Sequence, residues 1–255
     1  MNAQQLMAGP QWSLGTIRGH DIKVSPIFLI LIAVFVFIGL QSLSQLPYQL
    51  MWAPVLFGSI LLHELGHAAA TKKCGFGTST IILHGFGGVA ISRRSNEKPK
   101  DGIFIALAGP AVTAILAVAS GLLWLGFGLV AGLVAGPEPP MALSVIGHFL
   151  GLMTLANIFW LVLNLLPIHP LDGGQALMNF FRKKGKSRAK ATAQAAKVSL
   201  VAIGVTALIT LFVFQVGGLF LILIFGYLGY MNYQILQQAQ SGGGPGGPTM
   251  MRFRR

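Results

Sequence analysis

The feature that most constrains this chain is a series of apolar segments about twenty residues long, the length a helix needs to cross a bilayer. Residues 27–43 and 51–70 form two of them, 142–166 another, and 103–134 one longer than a single span requires. The stretch 198–236 is about twice a span, and Gln215, Val216, Gly217 and Gly218 near its middle make the natural turn. Six transmembrane helices are therefore expected. Composition agrees. Only 9% of the residues are charged, against about 25% in a soluble domain, and the mean hydropathy is +0.71. So few charges cannot cover a water-facing surface. The pattern predicts an all-α polytopic membrane protein and excludes a soluble enzyme, a disulfide-stapled secreted domain and a disordered chain. Cys74, the single cysteine, has no internal partner for a disulfide.

The net charge of +12 would suggest nucleic acid in a soluble chain. Here its distribution argues for topology, with the lipid bilayer and no nucleic acid as partner. Two basic residues lie in 1–25, six in 71–101, seven in 173–197 and three in 252–255, which accounts for all 18. The segments between them that face the other side carry none. The positive-inside rule then places both termini in the cytoplasm of a multi-pass cell-membrane protein. Residues 1–25 lack the short apolar core of a signal peptide and are expected to be a cytoplasmic tail. Residues 26–236 are expected to form the membrane-embedded domain, and 237–255, rich in glycine and proline towards the end, a disordered cytoplasmic tail. Segment 81–91 (IILHGFGGVAI) is too short to span and too glycine-rich for a helix. A β-hairpin at the membrane edge, after the second helix, is the expectation there.

Two of the six acidic residues, Glu64 and Asp172, fall within or at the end of an apolar span. Charged groups at that depth are costly and mark function. Glu64 belongs to His63-Glu64-Leu65-Gly66-His67. Histidines four apart share one helix face and can both reach one Zn²⁺, while the adjacent glutamate can reach a water on it; this is the HExxH pattern of zinc proteases. The competing reading is a polar patch that bonds between helices. A catalytic zinc takes three protein ligands, and Asp172 is the candidate for the third. Spans two and four both run inward, so His63, His67 and Asp172 should lie at one depth, toward the cytoplasmic side. Standing before Gly173 and Gly174, Asp172 could instead be a helix N-cap.

HELGH in one span and Asn164-Leu165-Leu166-Pro167-Ile168-His169-Pro170-Leu171-Asp172-Gly173-Gly174 after another resemble the paired signatures of the site-2 proteases, a family of intramembrane zinc metalloproteases. Ala108-Gly109-Pro110 and segment 81–91 also match that layout, and the likeness covers about residues 50–180. It resembles the bare six-span form, without a PDZ or CBS domain. The resemblance implies one zinc per chain held by His63, His67 and Asp172, with Glu64 as general base. It implies that Asn164 helps bind substrate or stabilise the oxyanion. It also implies a transmembrane protein as substrate, cut within or beside its helix. Glycine content together with the likeness suggests that Gly87 and Gly88 admit a substrate strand to the edge of the hairpin. Two positions depart from the family pattern: His169 stands at a usual proline, and Thr113 at an asparagine that follows Ala-Gly-Pro. Neither departure is expected to touch the ligand set, and His169 is read as a substitution, not a further ligand. A metal-ion transporter using the same histidines, or a catalytically inactive binding protein, are the competing functions. The first has no need of Glu64 as a base and often shows inverted repeats, which are not evident here. The intact HExxH and aspartate argue against the second.

Overall fold

The computed structural model describes residues 9–38, 40–85, 87–135, 140–214 and 219–240. These are mostly helical, with one four-stranded sheet. The chain forms two compact units: residues 1–96 with 107–163, and residues 97–106 with 164–255.

The first unit opens with β1 (Trp12–Ile17) and β2 (His20–Val24), followed by α1 (Pro26–Ile38) and, after a short helical connection, α2 (Trp52–Lys73). Strands β3 (Thr80–His84) and β4 (Gly87–Ile91) come next. The sheet order is β1-β2-β3-β4. The β2–β3 pair is parallel, with Ile22 opposite Ile81, and the outer pairs are antiparallel. The hairpin expected in 81–91 is present as β3 and β4. The all-α expectation is otherwise corrected, because residues 12–24 form two further strands where a tail was expected. The physical reason lies in His20-Asp21-Ile22-Lys23-Val24. His20, Ile22 and Val24 are buried while Asp21 and Lys23 are not, the period-2 pattern of a strand with one face on a core. Arg18 and Gly19, both at positive φ (52° and 86°), form the two-residue turn whose twist matches paired strands.

His20 is part of this packing and not a tail residue. It is 3% exposed, and its Nδ1 accepts a hydrogen bond from the Ser79 N–H at 3.0 Å. Burial first, and then the nearby Lys72 ammonium, lowers its pKa and keeps the ring in the neutral, accepting form. Ile22, Phe28, Leu56, Ile60, Ile81 and Leu83 join β2, α1, α2 and β3 in one apolar cluster, so the sheet braces the helix that carries HELGH.

Two longer helices, α3 (Pro99–Ala135) and α4 (Met141–Leu165), follow. The second unit then has α5 (Asp172–Lys183), α6 (Arg188–Phe214) and α7 (Leu219–Gln240). Three helical segments among the described residues are long and apolar enough to cross a membrane: Pro99–Leu133, Met141–Leu165 and Arg188–Val213. The expected first span is helical only over the 13 residues of α1, roughly 20 Å at 1.5 Å per residue, shorter than a bilayer core of about 30 Å. Helix α2 has 22 residues, but its three motif side chains and two terminal lysines dilute its apolar character. The region 173–197, expected to be a loop, is largely helix, and residues 237–240 continue α7 instead of beginning the tail. The turn at 215–218, Glu138 and the tail from Ser241 lie outside the described residues.

Within the second unit, Arg182 near the end of α5 donates to Asn179 Oδ1 (2.6 Å) and to the Glu97 carbonyl (2.8 Å). Its guanidinium also lies 3.7 Å from Glu97 Oε1, with both side chains largely buried (16% and 14% exposed). Gly102 makes room for this cluster, since a Cβ there would come 2.5 Å from the Asn179 side chain. Charge-assisted bonds of this kind contribute about 1.5–3 kcal/mol each. Arg182→Ala is expected to destabilise the fold by about 2 kcal/mol, read as a lower midpoint in a thermal or denaturant melt. An unchanged midpoint would show that the cluster does not hold α5.

Candidate active site

Helix α2 starts with Pro54 in its first turn, where a missing N–H costs nothing. It ends with Lys72 and Lys73 against the negative end of the helix dipole, and Gly75 at φ +84° turns the chain away. Three alanines after the HELGH motif favour the helical state. His63 and Glu64 are 4% and 6% exposed. The two imidazoles meet at their Nε2 atoms, 3.1 Å apart, with the rings edge to face at 79°. Two nitrogens each about 2.05 Å from one tetrahedral zinc would lie roughly 3.3 Å apart, so this spacing suits a shared metal.

Gly66, between the two histidines, lets α3 approach closely: a Cβ there would meet the Ala108 carbonyl oxygen at 2.8 Å and Val112 Cγ2 at 2.9 Å. That approach places Gly109 over the imidazoles. A Cβ on Gly109 would lie 2.7 Å from His63 Nε2 and from His67 Cε1, so a side chain there would occupy the space beside the two rings. Thr113, one turn further along α3, has its hydroxyl 2.8 Å from His63 Nδ1. The expectation that Thr113 would not touch the ligand set is therefore corrected. On the sheet side, a Cβ on Gly88 would lie 2.9 Å from Glu64 Cδ and Oε1. Gly88, expected only to admit a substrate strand, backs directly onto the glutamate. Gly87, at φ +117°, faces the Trp160 ring at 3.9 Å.

Asn157, a polar residue in the apolar helix α4, is fully buried. Its amide donates to Ser59 Oγ on α2 at 2.9 Å and to the Met153 carbonyl at 2.8 Å. An interhelical bond in an apolar setting holds the two helices in register.

In the second unit Leu171 is the cap and Asp172 the first residue of α5, so Asp172 is not the N-cap. It is 7% exposed, and its charge faces the favourable end of the helix dipole. The residues before it are tied down. Ser199 Oγ, which donates to the Ala195 carbonyl at 2.8 Å, accepts from the His169 N–H at 2.9 Å, and the Asn232 amide donates to the His169 carbonyl at 2.6 Å. The glycines after it permit tight folding: a Cβ on Gly173 would come 2.5 Å from the Leu166 carbonyl oxygen, and one on Gly174 2.5 Å from that of Ile168.

His63 and His67 on α2, and Asp172 at the start of α5, are residue types that can each give one ligand atom to a metal ion. Asn164 lies near the end of α4, half-buried. Two imidazoles and one carboxylate are donor types that fit zinc, and the Gly109 gap lies beside the two imidazoles. Thr113 and Gly109 were not singled out from the sequence as parts of the site. The signal for both was the Ala-Gly-Pro run in an apolar helix, which shows its purpose only once α3 is packed on Gly66.

The family model that matches this chain is that of Peptidase family M50, over residues 51–130 and 125–211. The putative zinc metalloprotease sll0528 of Synechocystis is 29% identical over 173 residues, 64% of this chain and 42% of that protein. The zinc metalloprotease MJ0392 of Methanocaldococcus jannaschii is 30% identical over 174 residues, 66% of this chain and 46% of the relative. The putative zinc metalloprotease Rip3 of Mycobacterium tuberculosis is 28% identical over 216 residues, 81% and 52% of the two. The chain thus spans about half the length of these curated relatives. Among solved structures, the site-2 protease from Methanocaldococcus jannaschii superposes with a TM-score of 0.56 at 25% identity, covering 89% of this chain and 95% of the other. The family model spans well over half of the sequence and both motif segments, and with a site-2 protease fold this membrane protein belongs to Peptidase family M50.

Proposed function

We propose that the chain is an intramembrane zinc endopeptidase that cleaves a peptide bond within or beside a substrate's transmembrane helix. The observation that carries this is the pair of imidazole Nε2 atoms 3.1 Å apart on the helix that also bears the buried carboxylate of Glu64. His63, His67 and Asp172 hold one zinc. When bound, zinc supplies Lewis acidity and brings a water pKa down toward 7. Glu64 takes the proton of the attacking water and later passes it to the leaving amine. Asn164 donates to the oxyanion. Exclusion of bulk water around Glu64 strengthens each of these polar contacts.

A helix shields its own peptide bonds, so the substrate unwinds to be cut. β4 stands at the edge of the sheet, which supports the reading that an extended substrate segment pairs along Gly87 and Gly88. Gly88 then brings that segment to the side of Glu64. The six-span arrangement, with both termini and the zinc site toward the cytoplasm, rests on the basic-residue pattern and the three long apolar helices.

Two measurements test this reading. Purified protein incubated with a model transmembrane substrate should cleave it, and a zinc chelator should stop the cleavage. Asp172→Ala should lose zinc and activity together, because three protein ligands become two; full zinc content with unchanged affinity would remove Asp172 from the ligand set. A protein that transports the ion without cutting would point to the transporter. For topology, cysteine labelling is expected to reach positions in 182–190 only from the cytoplasmic face and positions near Ser44 only from outside. Labelling of 182–190 from outside would overturn the orientation.

A further inference from the structure

We propose that Thr113 is a positioning residue for the metal centre: its hydroxyl oxygen fixes the tautomer and ring orientation of His63. This rests on the zinc reading above. His63 Nδ1 lies 2.8 Å from Thr113 Oγ1, and the two residues are 4% and 1% exposed. A threonine hydroxyl has one proton to give and two lone pairs. Its proton goes to the Gly109 carbonyl at 3.2 Å, one turn earlier in the same helix. Toward His63 the oxygen can therefore only accept, so Nδ1 carries the hydrogen. A neutral imidazole has a single N–H, which leaves the lone pair on Nε2, the atom turned toward His67 Nε2. That is the state a metal-binding histidine needs, and an acceptor on its other nitrogen is what holds it there.

The local chemistry makes the acceptor rigid. Threonine is β-branched and has few rotamers in a helix, and the bond to the carbonyl four residues back selects one of them. The same Gly109 that opens the ion's position supplies that carbonyl. One turn of α3 thus provides both the gap and the group that aims a ligand into it.

The test uses the purified chain in detergent. Zinc affinity is measured by competition with a chromogenic chelator, and the ligand field by the visible absorption of the Co²⁺-substituted protein. Thr113→Val keeps the shape and removes the acceptor. It is expected to bind zinc about 10–100-fold more weakly, with an altered Co²⁺ spectrum. Thr113→Ser is expected to restore both. Thr113→Ala reads the same loss if circular dichroism shows the valine variant unfolded. Wild-type affinity and spectrum in the acceptor-less variant would overturn the proposal. So would a serine variant as weak as the variant without the hydroxyl, since packing would then be the cause. If the wild-type protein binds neither ion, the zinc reading itself fails; if it binds both and loss of the hydroxyl changes nothing, only the assignment of Thr113 fails.

Discussion

Glu64→Gln is expected to keep its zinc and to cleave a transmembrane substrate about 10²–10⁴-fold more slowly, the range that a positioned general base supplies. The argument turns on what the substitution leaves in place. Glutamine has nearly the shape of glutamate, so the packing of this buried residue against Gly88 is kept. His63, His67 and Asp172, the proposed ligands, are untouched. What disappears is the ability to accept a proton at neutral pH. Zinc measured on the purified variant should match the wild type, while initial rates fall. Cleavage near the wild-type rate would remove Glu64 from the mechanism. Joint loss of zinc and activity would give it a structural role.

Much of the candidate site was legible because its chemistry is local. HELGH places two imidazoles one turn apart with no knowledge of the fold, and the buried acid Asp172 is conspicuous where acids are scarce. The depth argument for Asp172 used only the count of spans. What was missed depends on distant partners. β2 pairs with β3 in parallel, residue 22 against residue 81, and no local pattern announces a pairing over that separation. The alternation in His20–Val24 was readable as a strand, but a short polar-looking segment before the first apolar run invites the reading of a tail. Thr113 contacts His63 across 50 positions, through the approach that Gly66 permits. Gly88 could be recognised as a place needing no side chain, but not what it spares, and the residue it spares is Glu64. Gly88→Val therefore has two routes to lost activity, a blocked strand edge and a displaced base.

Gly109 offers the sharper test of how α3 serves the metal, and Gly109→Ala is expected to leave the protein folded with less than about a tenth of the wild-type zinc affinity, a loss on the scale of a perturbed metal shell. In an ordinary helix interior the substitution would stabilise by about 0.5–1 kcal/mol, because glycine pays the larger entropy on folding. Here the added methyl group would sit 2.7 Å from His63 Nε2 and from His67 Cε1, well inside van der Waals contact and on the side where an ion must stand. The helix cannot retreat easily, since Gly66 already packs against its backbone at the Ala108 carbonyl. His67, which is only partly buried, can yield by rotating about its side-chain torsions into another staggered well. The fold then survives while the shared position of the two Nε2 atoms is lost. Metal analysis and circular dichroism on the same sample separate the two effects. A variant that holds stoichiometric zinc at wild-type affinity would show that the gap beside the histidines is not where the ion binds, and that α3 lies against α2 for packing alone.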